Sequence, residues 1–227
     1  MTVKLISITQ GFGELAGKSP QDIISYTARV SSPNNQSNFD TAPKLLAYLI
    51  KHKHWSPFEM CHMTLEILTS RFVAQQILRH RSFSFQEFSQ RYSNVSDSNI
   101  VIYNARRQDK GNRQNSIDDL PEGVKEEWNK KQEDNWKRSF EDYEWALKNN
   151  IAKECARTVL PLGTQSRLYM SGSVRSWIHY LESRTAESTQ LEHREVALEC
   201  QKIFNKEFPD MAQALGWTAE AFLEKNK

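Results

Sequence analysis

The chain has 227 residues, 26% of them charged and 38% apolar, and this suffices for one sizeable domain with a substantial core. A net charge of +2 does not demand a long polyanion as partner, and no apolar run approaches the roughly 20 residues that span a bilayer. Three scattered cysteines, Cys61, Cys155 and Cys200, form no C-x-x-C pair, which argues against a disulfide framework or a structural zinc site and for a reducing compartment.

The N-terminal Met1-Thr2-Val3-Lys4 has neither the charged nor the apolar region of a signal peptide, so a cytoplasmic protein is expected. Residues 3–9 read as a strand ended by Gly11 and Gly13. Ser19-Pro20 opens a helix running to about Val30, with serine as N-cap and proline at the first helical position. A second helix begins near Pro43 and carries Leu45, Leu46, Leu49 and Ile50. Cys61, Met63, Leu65 and Ile67 alternate with His62, Thr64 and Glu66, the pattern of a half-buried strand. Ser70 caps the next helix, in which Phe72, Val73, Gln76 and Ile77 share a face. Residues 104–123 are polar and read as an exposed loop insert. Pro121 then opens a long charged helix with Trp128, Trp136, Phe140, Tyr143 and Leu147 on one stripe, suited to packing on the body or on a neighbouring subunit. Further helices are expected over 151–158, 174–183 and 190–208, with a strand over 165–170. The prediction is one helix-rich α+β domain spanning 1–227.

Residues 79–93 stand out. Three arginines (Arg79, Arg81, Arg91), four serines and one carboxylate (Glu87) crowd a predicted helix end and the loop after it. Guanidinium forks and hydroxyls match phosphate oxygens, so a small phosphorylated ligand accounts for the cluster. Two other readings stay open on composition. One is a solvated basic helix end favoured by the helix dipole, and the other a single-strand nucleic-acid patch using Phe83, Phe85, Phe88 and Tyr92.

Arg79-His80-Arg81, seven residues, then Ser89-Gln90-Arg91-Tyr92 resembles the signature of the flavin-dependent thymidylate synthases. Six further groups resemble that family in order: Ala28-Arg29-Val30-Ser31, residues 52–59 around His54 and Ser56, Phe72-Val73-Ala74-Gln75-Gln76, residues 156–161 around Arg157, and two late stretches holding Gly172-Ser173-Val174-Arg175-Ser176 and Tyr180-Leu181-Glu182-Ser183-Arg184. The resemblance covers about residues 20–205. It implies an α+β fold with a small, mainly antiparallel sheet, and a homotetramer with shared active sites across which FAD lies. The implied reaction converts dUMP to dTMP with 5,10-methylenetetrahydrofolate as carbon donor and NADPH or NADH as the reductant of FAD, the hydride donor. No nucleic-acid, membrane or metal partner is implied.

Residue by residue, the resemblance implies flavin contacts at His54, Ser56, Arg79, His80, Arg81, Glu87, Ser173, Arg175 and His179. It implies dUMP contacts at Gln76, Arg79, Glu87, Phe88, Ser89, Gln90, Arg91, Arg157 and Arg184. The chain departs from the common pattern at Ser173, His179 and Ser188. It has no G-x-G-x-x-G, so a flavin diphosphate would rely on arginine side chains rather than a Rossmann cradle. Arg184 is the candidate catalytic group, because a fixed cation beside the uracil carbonyl stabilises negative charge there. Arg157 serves the same ligand or simply caps a helix end. Glu87 pairs with arginines or touches ligands. Each cysteine reads as an inert core thiol, and Ser89 as a substrate-binding hydroxyl rather than a nucleophile, because His80 lies among arginines that disfavour its protonated form. His193 and Glu192 are assigned no role.

Overall fold

The computed structural model describes residues 1–95 and 100–218. Strand β1 (Thr2–Ile8) leads to helix α1 (Pro20–Ala28), whose start is the predicted one. Ser19 Oγ accepts from Asp22 N at 3.2 Å, and Asp22 Oδ2 accepts from Ser19 N at 3.2 Å, a reciprocal cap that satisfies two otherwise orphaned donors. Helix α2 (Ala42–Lys51) buries Leu46 and Leu49. Strand β2 (His62–Ser70) passes directly into α3 (Arg71–Ile77), where the Ser70 hydroxyl accepts from Val73 N. Strands β3 (Ser84–Glu87), β4 (Arg107–Gln108) and β5 (Ser116–Ile117) follow, then α4 (Glu122–Lys148) and α5 (Lys153–Ala156). Strand β6 (Gln165–Ser173) runs straight into α6 (Val174–Arg184), and α7 (Leu191–Glu207) and α8 (Pro209–Leu215) complete the described chain.

The main sheet is antiparallel with order β1-β2-β6-β3. Its register aligns Leu5, Leu65, Met170 and Phe85 in one row across four strands. That face packs on Trp177, Ile178 and Leu181 of α6 and on Val196, Ala197, Cys200 and Phe204 of α7, within one cluster that also takes in Ile24, Leu46 and Phe58. Burial of this apolar surface is the main stabilising term. The opposite face is polar, and there Tyr169 Oη donates to Glu66 Oε2 at 2.9 Å. The alternation read from residues 61–68 therefore sets which side of the sheet receives the helices. An α+β architecture with a small antiparallel sheet is what the structure shows.

The buried residues of α4 lie toward its C-terminal end, where Tyr143 and Ala146 join Val95 and Ala156 in a second, smaller cluster; Gln132 anchors its middle to the backbone of Tyr103, and Trp128 and Trp145 are exposed. Three expectations need correction. Residues 84–87 form the edge strand β3 rather than loop, because Phe85 finds the core row beside Met170. The insert is not featureless: β4 and β5 pair as a small hairpin, Asp109 accepts from Gly111 N, Asn112 N and Asn115 Nδ2, and Arg107 pairs with Asp119. Cys155 is exposed on the four-residue α5 and is no core thiol, although Cys61 and Cys200 are fully buried. No helix among the described residues is long and apolar enough to cross a membrane.

Candidate active site

The polar side chains singled out from the sequence fall into three groups. The first lies where the end of α3 meets α6 and α7. Arg184, in the last turn of α6, donates from Nε to His80 Nε2 at 2.9 Å, which requires that ring nitrogen to be unprotonated. Burial, then the charges of Arg184 and Arg79, pull the His80 pKa down to about 4, so its imidazole is neutral at neutral pH. The ring stands edge-on to Tyr180, with centroids 4.9 Å apart. No other partner engages Arg184 among the described residues, which leaves both Nη groups available to a ligand. Gln76, on α3, reaches this group through His193, whose Nδ1 lies 3.3 Å from Gln76 Oε1. Arg79 and Arg81 are exposed at the rim.

A second group forms around α5 and the turn after β3. Arg91 donates from Nε to Glu154 Oε2 at 3.3 Å, and Arg157 donates to the Glu154 carbonyl at 3.4 Å. Ser89 Oγ accepts from Arg91 N at 3.3 Å, a tight turn that aims hydroxyl and guanidinium from neighbouring positions. Buried Gln90, Arg71, Arg157 and Thr158 line a cleft of about 230 Å³ closed by Leu160 and Leu162. Sequence reasoning missed Arg71; its place in the cleft beside Gln90 depends on β3 folding back toward α3. Glu87 is held by Arg71 Nη1 at 3.3 Å and by the Ser166 hydroxyl at 2.7 Å, so it pairs with an arginine outside the signature segment. Phe88 lines a shallow cleft with Leu68, Gln165 and Arg167.

The third group surrounds the start of α6. Arg175 pairs with Glu59, and His179 stands edge-on to Trp55 with centroids 5.0 Å apart. The Ser173 hydroxyl accepts from Ser176 N at 3.3 Å and so caps α6. Ser56 and His54 are exposed nearby in sequence, and His54 lies against the rings of Tyr48 and His52 at 6.0 Å from each.

Two alternatives lose ground on this geometry. Phe83 is buried against Trp177 and Phe85 packs on the core, so neither forms a stacking platform for single-stranded bases. Burial raises the Cys61 thiol to about 12 and pushes the Cys200 thiol upward too, the opposite of an activated nucleophile. The neighbour of Ser89 is a backbone amide, while His80 is engaged with Arg184.

Residues 14–210 match the family model described as thymidylate synthase complementing protein. The chain is 54% identical over 219 residues to the flavin-dependent thymidylate synthase of Synechocystis sp., covering 96% of this chain and all of that protein. It is 52% identical over 217 residues to a probable flavin-dependent thymidylate synthase of Paramecium bursaria Chlorella virus 1, with the same coverage. Among solved structures, the UMP/dUMP methylase PolB of Streptomyces cacaoi, bound with 5-Br dUMP, superposes with a TM-score of 0.79 at 26% identity over 94% of this chain and 93% of that one.

Proposed function

Because the chain belongs to the thymidylate synthase complementing protein family, whose curated relatives are flavin-dependent thymidylate synthases, we propose that it is a cytoplasmic flavoenzyme converting dUMP to dTMP. The carbon donor is 5,10-methylenetetrahydrofolate and the reductant is NADPH acting through FAD. The observation that carries this reading is the match of 52–54% identity to such enzymes along their whole length.

The donor set suits the ligands. Arg79 and Arg81 are exposed, and with Arg175 they supply cations for a diphosphate that lacks a glycine-rich cradle; the serine and imidazole side chains at Ser56 and His54 add hydrogen-bonding groups. When bound, the flavin supplies the hydride. The chain's own work is to bind and to polarise. Ser89, Arg91 and Arg157 hold the nucleotide phosphate, with Gln90 and Arg71 shaping the cleft beneath it. Arg184, oriented by neutral His80, places its Nη groups against the uracil carbonyl and stabilises negative charge there, which raises electron density at C5. No enzyme nucleophile is needed, in keeping with two buried, unreactive thiols.

The purified protein should be yellow, release flavin on denaturation, change its flavin spectrum on adding dUMP, and form dTMP from dUMP with the folate and NADPH. A colourless protein whose oligonucleotide binding falls steeply with salt would overturn the proposal. The same assay run with UMP decides between this substrate and the alternative of another uracil nucleotide, which the methylase neighbour motivates.

A further inference from the structure

A chain of hydrogen bonds runs through Gln76 and His193, and its direction is fixed from one end. Glu192, at the start of α7 and 6% exposed, is ion-paired with Arg106, whose Nη2 lies 2.6 Å from Glu192 Oε1. The other carboxylate oxygen accepts from Gln190 Nε2 at 2.8 Å. A carboxylate only accepts, so Gln190 must present its amide nitrogen there and its oxygen outward. That oxygen accepts from Gln76 Nε2 at 2.7 Å. Gln76 therefore turns Oε1 toward His193 Nδ1, 3.3 Å away, which must carry the proton. His193 Nε2 is then an acceptor, and Tyr180 Oη, 3.1 Å away and buried, donates to it. Tyr180, His193, Gln76 and Gln190 each point a proton the same way, toward the Glu192 carboxylate. His193 is 1% exposed, and its burial, followed by the charge of Arg184, lowers its pKa to about 4, consistent with a neutral ring.

A glutamine free to flip offers either end to a ligand. This one is not free. After its two bonds in the chain, the Gln76 amide keeps one N–H and one carbonyl lone pair in fixed positions. We propose that Glu192 and His193 are positioning residues that lock the amide of Gln76 in one polarity, so that it pairs with the donor–acceptor edge of uracil and is mismatched against the reversed edge of cytosine. A site built for one hydrogen-bond pattern rejects the reversed pattern because its own polar groups are left unpaired. The inference rests on the proposed function and on Gln76 facing the pyrimidine: the family resemblance implies a dUMP contact at Gln76, and His193 ties it to the group that holds Arg184.

The experiment titrates flavin-loaded protein with dUMP and with dCMP, following the flavin spectrum for dUMP and competition against dUMP for dCMP. Wild type, Glu192→Gln, Gln76→Ala and their double variant are compared. In Glu192→Gln a carboxylate acceptor becomes an amide, so either the Arg106 contact or the polarity of the whole chain is lost. We expect the preference for dUMP over dCMP to narrow about tenfold in Glu192→Gln and in Gln76→Ala. The double variant should narrow no further than Gln76→Ala, since both act at one amide. Gln190→Met breaks the same chain from an exposed position and should narrow the preference alike, with flavin content unchanged. An unchanged preference in both Glu192→Gln and Gln190→Met overturns the inference while leaving the enzyme assignment standing, as does a double variant whose losses multiply. If wild type itself gives no response to dUMP, the proposed function fails and this inference with it.

Discussion

His80 and His193 sit within one packed neighbourhood, with ring centroids 6.2 Å apart and the guanidinium of Arg184 bonded to one of them. Each has its pKa lowered from the ordinary 6.5 to about 4, chiefly by burial and then by Arg184, with Arg79 contributing to both. In the unfolded chain both bind a proton near the ordinary value; in the folded chain they do so only near pH 4. Between those limits the unfolded state holds more protons, so stability rises with pH across the window and is lost as the solution is acidified through it. Thermal unfolding midpoints should therefore fall as pH is lowered from about 6.5 to about 4. His193→Leu should start from a lower midpoint and show a shallower slope. An identical slope in that variant would mean that His193 contributes nothing to the acid response. At this scale the sequence carried the identity of the cations but not their engagements. That His80 lies among arginines is visible in the segment 79–81; that it accepts from Arg184, 104 positions away, depends on α6 ending beside it. His193 and Glu192 gave no signal at all, because a histidine on an amphipathic helix looks the same whether it packs quietly or joins a directed network.

Among the elements, the strand read from residues 61–68 and the caps at Ser19 and Ser70 were legible because each rests on local chemistry: a period of two, or a hydroxyl positioned over a helix start. Strand β3 was not. Four residues, Ser84 to Glu87, hold only one apolar side chain, and what makes them a strand is the ladder to β6. Gly172 is what lets that ladder close. A Cβ built there would lie 2.5 Å from Phe83 Cδ1, so the ring that precedes β3 rests directly on the backbone of β6. Gly172→Ala should cost about 1–3 kcal/mol in chemical denaturation, because a buried aromatic must shift from its place against Trp177. Adding Phe83→Leu should recover part of the loss. Full stability in the single variant would show that the ring moves aside without penalty. The insert was legible as polar surface, but its hairpin was not, since two-residue strands carry no periodicity; its Arg106 anchors it to α7.

Taken whole, the molecule presents its basic side chains in groups built by different parts of the fold: Arg79 and Arg184 with α3 and α6, Arg91 and Arg157 with α5. One mononucleotide served by both groups is accommodated if they meet across chains of a homotetramer. Arg184→Ala and Arg157→Ala should each abolish dTMP formation while retaining flavin, and mixing the two after mild dissociation should restore activity. Random mixing leaves about a quarter of the sites with both arginines intact. No recovery on mixing, with hybrid oligomers present, would place both residues in one chain's site. The sequence left Trp128 to pack on the body or on a neighbouring subunit and assigned no partner to exposed Trp145 or to the polar outer face of the sheet, because a surface that meets another copy reads like one that meets water. The central pair of strands has a consequence for biosynthesis. Thr64 and Ser171, hydrogen-bonded neighbours across β2 and β6, are 107 positions apart, and β3 also waits for β6. A nascent polypeptide emerging from the ribosome thus holds its middle strand without a mate on that side until β6, about a hundred residues later, has emerged, and the sheet condenses late.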